Sequence, residues 1–565
     1  MRFITICFIS VLCANLNAVA QKEWKSETTG TYSHADSLLG SLRPERTCYD
    51  VNYYNMDFVP NIKERTISGR VKMYFMFMHP SKELQIDLQS PLYLDSVLLD
   101  NVKLKFRKDG NAYFIQLPND LALTQHQLIS YYHGKPIVAK NAPWDGGLVW
   151  KYDRKGAPFV GVACQGNGAS IWWPCKDHPS DEPDSVSVSF VVPDTLIGVS
   201  NGNLRKKEAL SGNRMKYFWH CSYPINAYNV TFYIGNFMLI KDHYVNFKGD
   251  SLDLDYWVQK GSEFKVRLHF HQVKGMLHAY EHYFGPYPYF NDGYALVEAP
   301  FLGMEHQGAI AYGNGYNRGY LGGRIPDDLN FDFIIIHESG HEYWGNSVSA
   351  ADPADSWIQE SFTTYMEALY VEWTNNKQKG IEYLVYQKPE IANKSAMLGI
   401  RNVNYHDHED SDIYYKGSWV LHSLRNTVNN DSLWFSALKA LYQSFAGKEI
   451  FTEELVARFN VLLKSDYTAY FKQFLLYKNQ PVFEYYLLPA KKGSRLIYRW
   501  NVKEKGFNMH MRIGNGTDFW RIRPSTSWQT TNLPQIKVEN FILDERSFLF
   551  EAIKMTGSPP KLNRK

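Results

Sequence analysis

The stretch His337-Glu338-Ser339-Gly340-His341, with Glu360 following after eighteen intervening residues, decides how the rest of the chain is read. At 3.6 residues per turn, side chains four apart sit about 40° apart around a helix, so both imidazoles share one face. Two imidazoles and one carboxylate give Zn²⁺ three ligands and leave a fourth position for water. Glu338 stands one step round the helix, near that water and off the metal, where a general base belongs. The apolar run from Phe331 to Ile336 leads into the motif and predicts a buried helix, against the alternative of a solvated helix with two unrelated histidines. A histidine as third ligand is disfavoured. Six residues after His341 stands Ser347, and Trp344 occupies the glycine position of that other zincin pattern. Ser356 to Trp373 reads as a second helix, with Trp357, Glu360, Thr364 and Glu367 near one stripe, so Glu360 supplies the carboxylate.

Outward from this centre, 565 residues are too many for one core and imply several domains. From about Gln21 to Val245 the pattern is mostly strands: Leu84, Ile86 and Leu88 alternate with polar residues, and Val71 to Met78 is dense in β-branched and aromatic side chains. Asp109-Gly110 and Asn201-Gly202 are turn signals. Helices are expected at 268–283 and, beyond the zinc helices, at 418–428, 432–445, 453–463 and 467–477. After Pro481 strands return at 495–502 and 508–513, with Asn515-Gly516 as a hairpin turn. The expected organisation is multidomain α+β. A signal segment (1–20) precedes an N-terminal antiparallel β domain (21–245), a thermolysin-like zincin catalytic domain (246–481) and a small C-terminal β-sandwich (482–556).

Composition excludes some classes of function. Net charge is +3 with 21% charged residues, and no basic run or phosphate-binding glycine loop points to nucleic acid. Arg2 precedes an apolar stretch from Phe3 to Ala14, and Ala18-Val19-Ala20 offers a cleavage site before Gln21. That run is too short to span a bilayer well, and no later segment reads as a transmembrane helix. Export to a periplasmic or extracellular space is therefore expected. Lipid attachment at Cys13 is the lesser alternative, because Ser10-Val11-Leu12 fits such a site poorly. Cys48, Cys164, Cys175 and Cys221 remain in the mature chain, too few for a disulfide scaffold, though one bridge is compatible with export. The cluster His406-Asp407-His408-Glu409-Asp410 reads as a solvated loop, since no matching distant ligands are visible.

Four separated motifs, in order, resemble those of the M1 family of zinc aminopeptidases, the family of aminopeptidase N and leukotriene hydrolase, over about 47–485. They are HESGH with Glu360; Leu302-Gly303-Met304-Glu305-His306, similar to a G-x-M-E-N exopeptidase motif; Tyr414-Tyr415-Lys416-Gly417, similar to Y-x-K-G; and Cys164-Gln165 through Trp172-Trp173-Pro174-Cys175-Lys176-Asp177, similar to a segment lining the pocket for the substrate's N-terminus. The resemblance implies one Zn²⁺ on His337, His341 and Glu360, with Glu338 as base and Tyr414 as oxyanion donor. It further implies Glu305 as partner of the substrate's α-ammonium, Gln165 as its helper, and the Gly303 backbone as a guide for the scissile carbonyl. The implied substrates are peptides cleaved one residue from their free N-terminus. The alternatives are a non-catalytic peptide-binding relative or a zinc hydrolase of another substrate. Three departures bear on the substrate side: Leu302 and His306 in the second motif, and Gln359-Glu360-Ser361 where N-E-G is usual. His306 is expected to narrow the cleft or to add a pH-dependent charge. Oligomeric state, side-chain preference and maximum peptide length leave no mark in the sequence.

Overall fold

The computed structural model describes residues 23–153, 155–164, 166–405 and 410–560. The expected signal segment, Gln165 and all of the 406–410 cluster except Asp410 lie outside the described residues.

The N-terminal part is the expected β domain. Its eight-stranded sheet alternates buried and exposed positions along strands such as Thr66–Phe77, as a sheet with one face on a core requires. Pairing is antiparallel except between Tyr49–Asn61 and Ser185–Pro193, which run parallel. The long connection between those two strands leaves room for the crossover that parallel pairing demands. A four-stranded sheet containing Pro158–Ala163 and Phe232–Gly235 shares its core, where Phe58, Trp172, Phe190 and Phe232 pack edge-on or stacked.

Phe237–Val245, which the sequence reading placed at the end of this domain, pairs along its whole length with Ser251–Gln259. It therefore belongs to the five-stranded sheet that carries the site. The order of that sheet is Phe237–Val245, Ser251–Gln259, Tyr294–Glu298, Ile310–Tyr312, Gly303–Met304, which makes Gly303–Met304 an edge strand. Helices follow close to the expected places: Gln272–Tyr283, Phe333–Gly340 (the motif helix), Trp357–Thr374 (the carboxylate helix), Tyr415–Val428, Asp431–Phe445, Thr452–Leu463 and Thr468–Leu475. The C-terminal strands form sheets of four and three strands, whose inward residues Trp500, Met511 and Ile513 join the catalytic core. Asn515-Gly516 turns the hairpin between Met511–Gly514 and Phe519–Ile522, with Gly516 at φ +97°.

Ahead of the β domain, the chain runs as a strap over the catalytic part. Trp24 donates its amide to Glu453, Glu27 donates its amide to the Leu476 carbonyl, and Asn404 donates to the Asp36 carbonyl. The four cysteines Cys48, Cys164, Cys175 and Cys221 are buried free thiols. Among the described residues no helix is long and apolar enough to cross a membrane.

Candidate metal centre and cleft

The motif helix starts where Asp332 accepts hydrogen bonds from the Ile334 and Ile335 amides, an N-cap that satisfies its first free donors. Asp332 also receives Asn314 Nδ2 at 2.8 Å, the Tyr312 hydroxyl at 2.7 Å and His269 Nε2 at 2.6 Å. The cap is thus tied into the sheet, and the helix is fixed in position and register. Every residue from Ile334 to Gly340 is buried.

His337 and His341 emerge on one face, and Glu360 meets them from the first turn of the carboxylate helix. The two Nε2 atoms lie 3.2 Å apart, and Glu360 Oε2 lies 3.6 Å and 3.4 Å from them. Ligands about 2.0–2.1 Å from a tetrahedral Zn²⁺ stand at about such separations. The outer hydrogen-bond partners agree. His337 Nδ1 faces Glu367 Oε1 at 2.7 Å and His341 Nδ1 faces the Trp344 carbonyl at 2.9 Å, so each ring has an acceptor for a proton on its far side, which leaves Nε2 for the centre. Glu360 Oε2 is buried without a hydrogen-bond donor. Two imidazole nitrogens and a carboxylate oxygen converging at these separations fit a cation.

The carboxylate helix does more than the sequence reading asked of it. Glu360, Thr363 and Glu367 project from it at helical spacing. Glu360 joins the trio, Thr363 Oγ1 touches His341 Nδ1 at 3.2 Å, and Glu367 orients His337 while accepting from Tyr383 and Gln387. Glu367 lies two turns beyond Glu360, so its place on the stripe was visible; Thr363, which the stripe did not include, reaches His341.

Glu338 is 9% exposed. Burial, reinforced by Glu305 and Glu360 and opposed by His337 and His341, pushes its carboxyl up to about 7. Gly303 lies against it, and a Cβ there would meet Glu338 Oε1 at 2.5 Å. Burial also raises Glu360, but the two imidazoles prevail and hold its carboxyl well below the usual range. The Tyr414 ring stacks 6.0 Å from that of His337, and burial, with Glu360 and Glu305 nearby, keeps its phenol protonated far above its ordinary range.

Glu305 is 3% exposed and opens on the same cleft; its side-chain partner is the Tyr228 hydroxyl at 3.2 Å. Burial raises its carboxyl, with Glu360 adding and His341 opposing. Tyr228 comes from a short turn far away in sequence and carried no signal there. Gly166 and Gly168, next to Gln165, line the cleft. His306 departs from expectation. It is wholly buried outside the cleft, facing the Tyr233 hydroxyl at 2.6 Å, and burial holds its imidazole down at about 3, so it neither narrows the cleft nor titrates in it.

The cleft has a volume of about 940 Å³ and lies between the edge strand, the motif helix and the N-terminal strap, whose Leu39 and Gly40 form part of its wall. The remaining motif residues hold the frame. Lys416 donates to the Lys478 carbonyl at 2.5 Å, and Gly417 lets its helix approach Ser361 so closely that a Cβ would stand 1.7 Å from Ser361 Oγ. Trp172 and Trp173 are core residues of the β domain.

These features define a metallopeptidase of the zincin type, and comparison with known proteins gives the family. The chain matches the Peptidase family M1 domain over residues 268–474 and the Peptidase M1 N-terminal domain over 50–228; it belongs to peptidase family M1. It is 22% identical to Aminopeptidase M1 of Arabidopsis thaliana over 50% of this chain and 33% of that protein. It is 23% identical to Leukotriene A-4 hydrolase of Xenopus laevis over 61% of this chain and 56% of that protein. It thus spans about a third to a half of these curated relatives. Among solved structures, a mutant M1 zinc metallopeptidase from Deinococcus radiodurans bound to a Tyr-Ser-Ala substrate shares the fold with a TM-score of 0.63 at 19% identity, covering 78% of this chain and 96% of that one.

Proposed function

We propose that this chain is an exported zinc aminopeptidase releasing the N-terminal residue of peptides. The observation that carries the reading is the buried Glu305 carboxylate, which has a phenol beside it, pairs with no described lysine or arginine, and sits in the same cleft as three converging ligand atoms. A carboxylate held out of water calls for a positive partner. A peptide's α-ammonium supplies one only when the chain ends there, which places hydrolysis one residue in. His337, His341 and Glu360 would hold Zn²⁺, which when bound supplies a Lewis acid that polarises the scissile carbonyl and acidifies water.

Glu338 takes the proton of the attacking water and returns it to the leaving amine. The Tyr414 phenol donates to the oxygen on which negative charge develops. The substrate backbone lies along the Gly303–Met304 edge, whose free backbone groups accept an added strand. Gln165 shares the ammonium with Glu305. Relatives named as aminopeptidases and the peptide-bound Deinococcus radiodurans structure support this reading. Export rests on the N-terminal apolar segment and its small-residue cleavage site.

The test is a panel of aminoacyl chromogenic amides, each beside its N-acetylated twin. Only free-amine substrates should turn over, and a chelator should abolish turnover until zinc is restored. Glu338→Gln should lower kcat by about 10²–10⁴ with zinc content unchanged. Equal cleavage of the acetylated twins would remove the role assigned to Glu305. Zinc binding with silence across the panel would favour the peptide-binding alternative.

A further inference from the structure

The cleft wall beyond the metal trio carries one feature that the chemistry above does not use. Among the described cleft-lining residues, Arg324 is the sole lysine or arginine. Its guanidinium lies over the Tyr320 ring at 4.9 Å, and no ion pair joins it to a described carboxylate; Glu390 lines the same wall without pairing to it. Rings connect it to the ligands: Tyr320 packs on Phe333 at 5.7 Å, and Phe333 stacks on His337 at 5.2 Å.

The loop presenting Arg324 is braced. Tyr320 and Gly323 exchange backbone hydrogen bonds, Gly319 N donates to the Phe331 carbonyl at 2.6 Å, and the Leu321 amide donates to Asn314 Oδ1. Asn314 in turn binds Asp332, the cap of the motif helix. Arg324 itself holds φ +56°, a left-handed conformation that a non-glycine residue keeps only when its surroundings impose it. One side chain therefore fixes both the metal-binding helix and the loop bearing this cation.

Polarity along the cleft gives the ligand. Glu305 and Arg324 both line the cleft, and the ring contacts through Tyr320 and Phe333 put Arg324 on the His337 side of the trio; with the amine assigned to Glu305, that side is left for the leaving portion of the peptide. At about 3.3–3.6 Å per extended residue, the ring contacts place it within reach of the first few residues after the scissile bond.

Building on the aminopeptidase reading, we propose that Arg324 binds a carboxylate on the leaving side of the substrate and so selects short peptides with a free C-terminus. A planar guanidinium stacked on a ring keeps its outer donors directed at such a group. An acidic side chain offers the same chemistry and is separated by the substrates chosen below.

The experiment compares three substrates with one N-terminal residue: a tripeptide acid, its C-terminal amide, and a longer amidated peptide with Glu as its third residue. Wild type, Arg324→Ala and Arg324→Lys are assayed for kcat/KM. Wild type should prefer the acid over the amide by about tenfold or more, chiefly through KM, and Arg324→Ala should bring the ratio close to one. Arg324→Lys should recover part of it. Preference for the glutamyl amide alone would overturn the C-terminal assignment in favour of an acidic side chain. A wild-type ratio of one, or a ratio unchanged in Arg324→Ala, would overturn the proposal. Calorimetric binding of the acid and amide to zinc-loaded Glu338→Gln, with and without Arg324→Ala, reads the same ratio without turnover. Preference in binding without hydrolysis in wild type would overturn the peptidase reading and leave this one standing.

Discussion

At the scale of single residues, environment sets what each side chain can do. Tyr414 and Tyr415 are adjacent and both reach the cleft, yet Tyr414 stacks on His337, a candidate ligand, near Glu360. Tyr414→Phe should lower kcat by about 10²–10³ with little change in KM, because an oxyanion donor acts only as charge develops; steady-state kinetics on the preferred aminoacyl amide checks this. His306 illustrates the converse. As a histidine in a catalytic motif it promised a pH-dependent charge, but burial against Tyr233 holds it near 3, so it is neutral throughout the working range. Depression of an imidazole favours its neutral form, and the charge would appear only at pH values below that range. The shape of the kcat/KM profile between pH 5 and 9 should therefore be the same in His306→Asn as in wild type. A basic or acidic limb lost in the variant would contradict this.

At the scale of elements, the site is the crossing of a few helices on a sheet edge. The motif helix brings both histidines, the carboxylate helix brings Glu360 with Thr363 and Glu367 behind the imidazoles, and the Tyr415–Val428 helix brings Tyr414 at its start. The last two helices pack through Gly417 and Ser361. Gly417→Ala should cost about 1–3 kcal/mol of stability through overpacking and shift Tyr414 relative to the ligands; a lowered Tm together with a lowered kcat checks both. Much of this level was legible. Spacing alone put two histidines on one face and Glu360 and Glu367 on another, since side-chain direction repeats with the helix. What spacing could not show was the crossing angle that lets Thr363, and not Thr364, touch His341.

At the scale of the whole molecule, the cleft is assembled from parts distant in sequence. The N-terminal strap anchors on the catalytic helices and the C-terminal domain: Lys503 pairs with Glu27, and Arg401 binds both Asp355 and Glu453 beneath Trp24. At Gly40 it passes so close to the 402–404 loop that a Cβ would meet the Val403 carbonyl carbon at 1.9 Å. Gly40→Val should therefore displace the strap from the cleft wall. The expected result is an altered KM that varies with the size of the N-terminal residue, with kcat for the smallest substrate least affected. An unchanged substrate ranking across the aminoacyl panel would separate the strap from the pocket.

By itself the sequence singled out the candidate metal ligands and the candidate base and showed the succession of β, helical and β regions, because each follows from local periodicity or from a short motif whose spacing is fixed by helix geometry. The tertiary structure alone decided that Phe237–Val245 joins the catalytic sheet, that Tyr228 meets Glu305, that His306 turns away from the cleft, and that Arg324 faces it. These depend on contacts between residues far apart in the chain. Local propensity carries no term for them, so they appear only when burial, strand register and helix crossing are satisfied together.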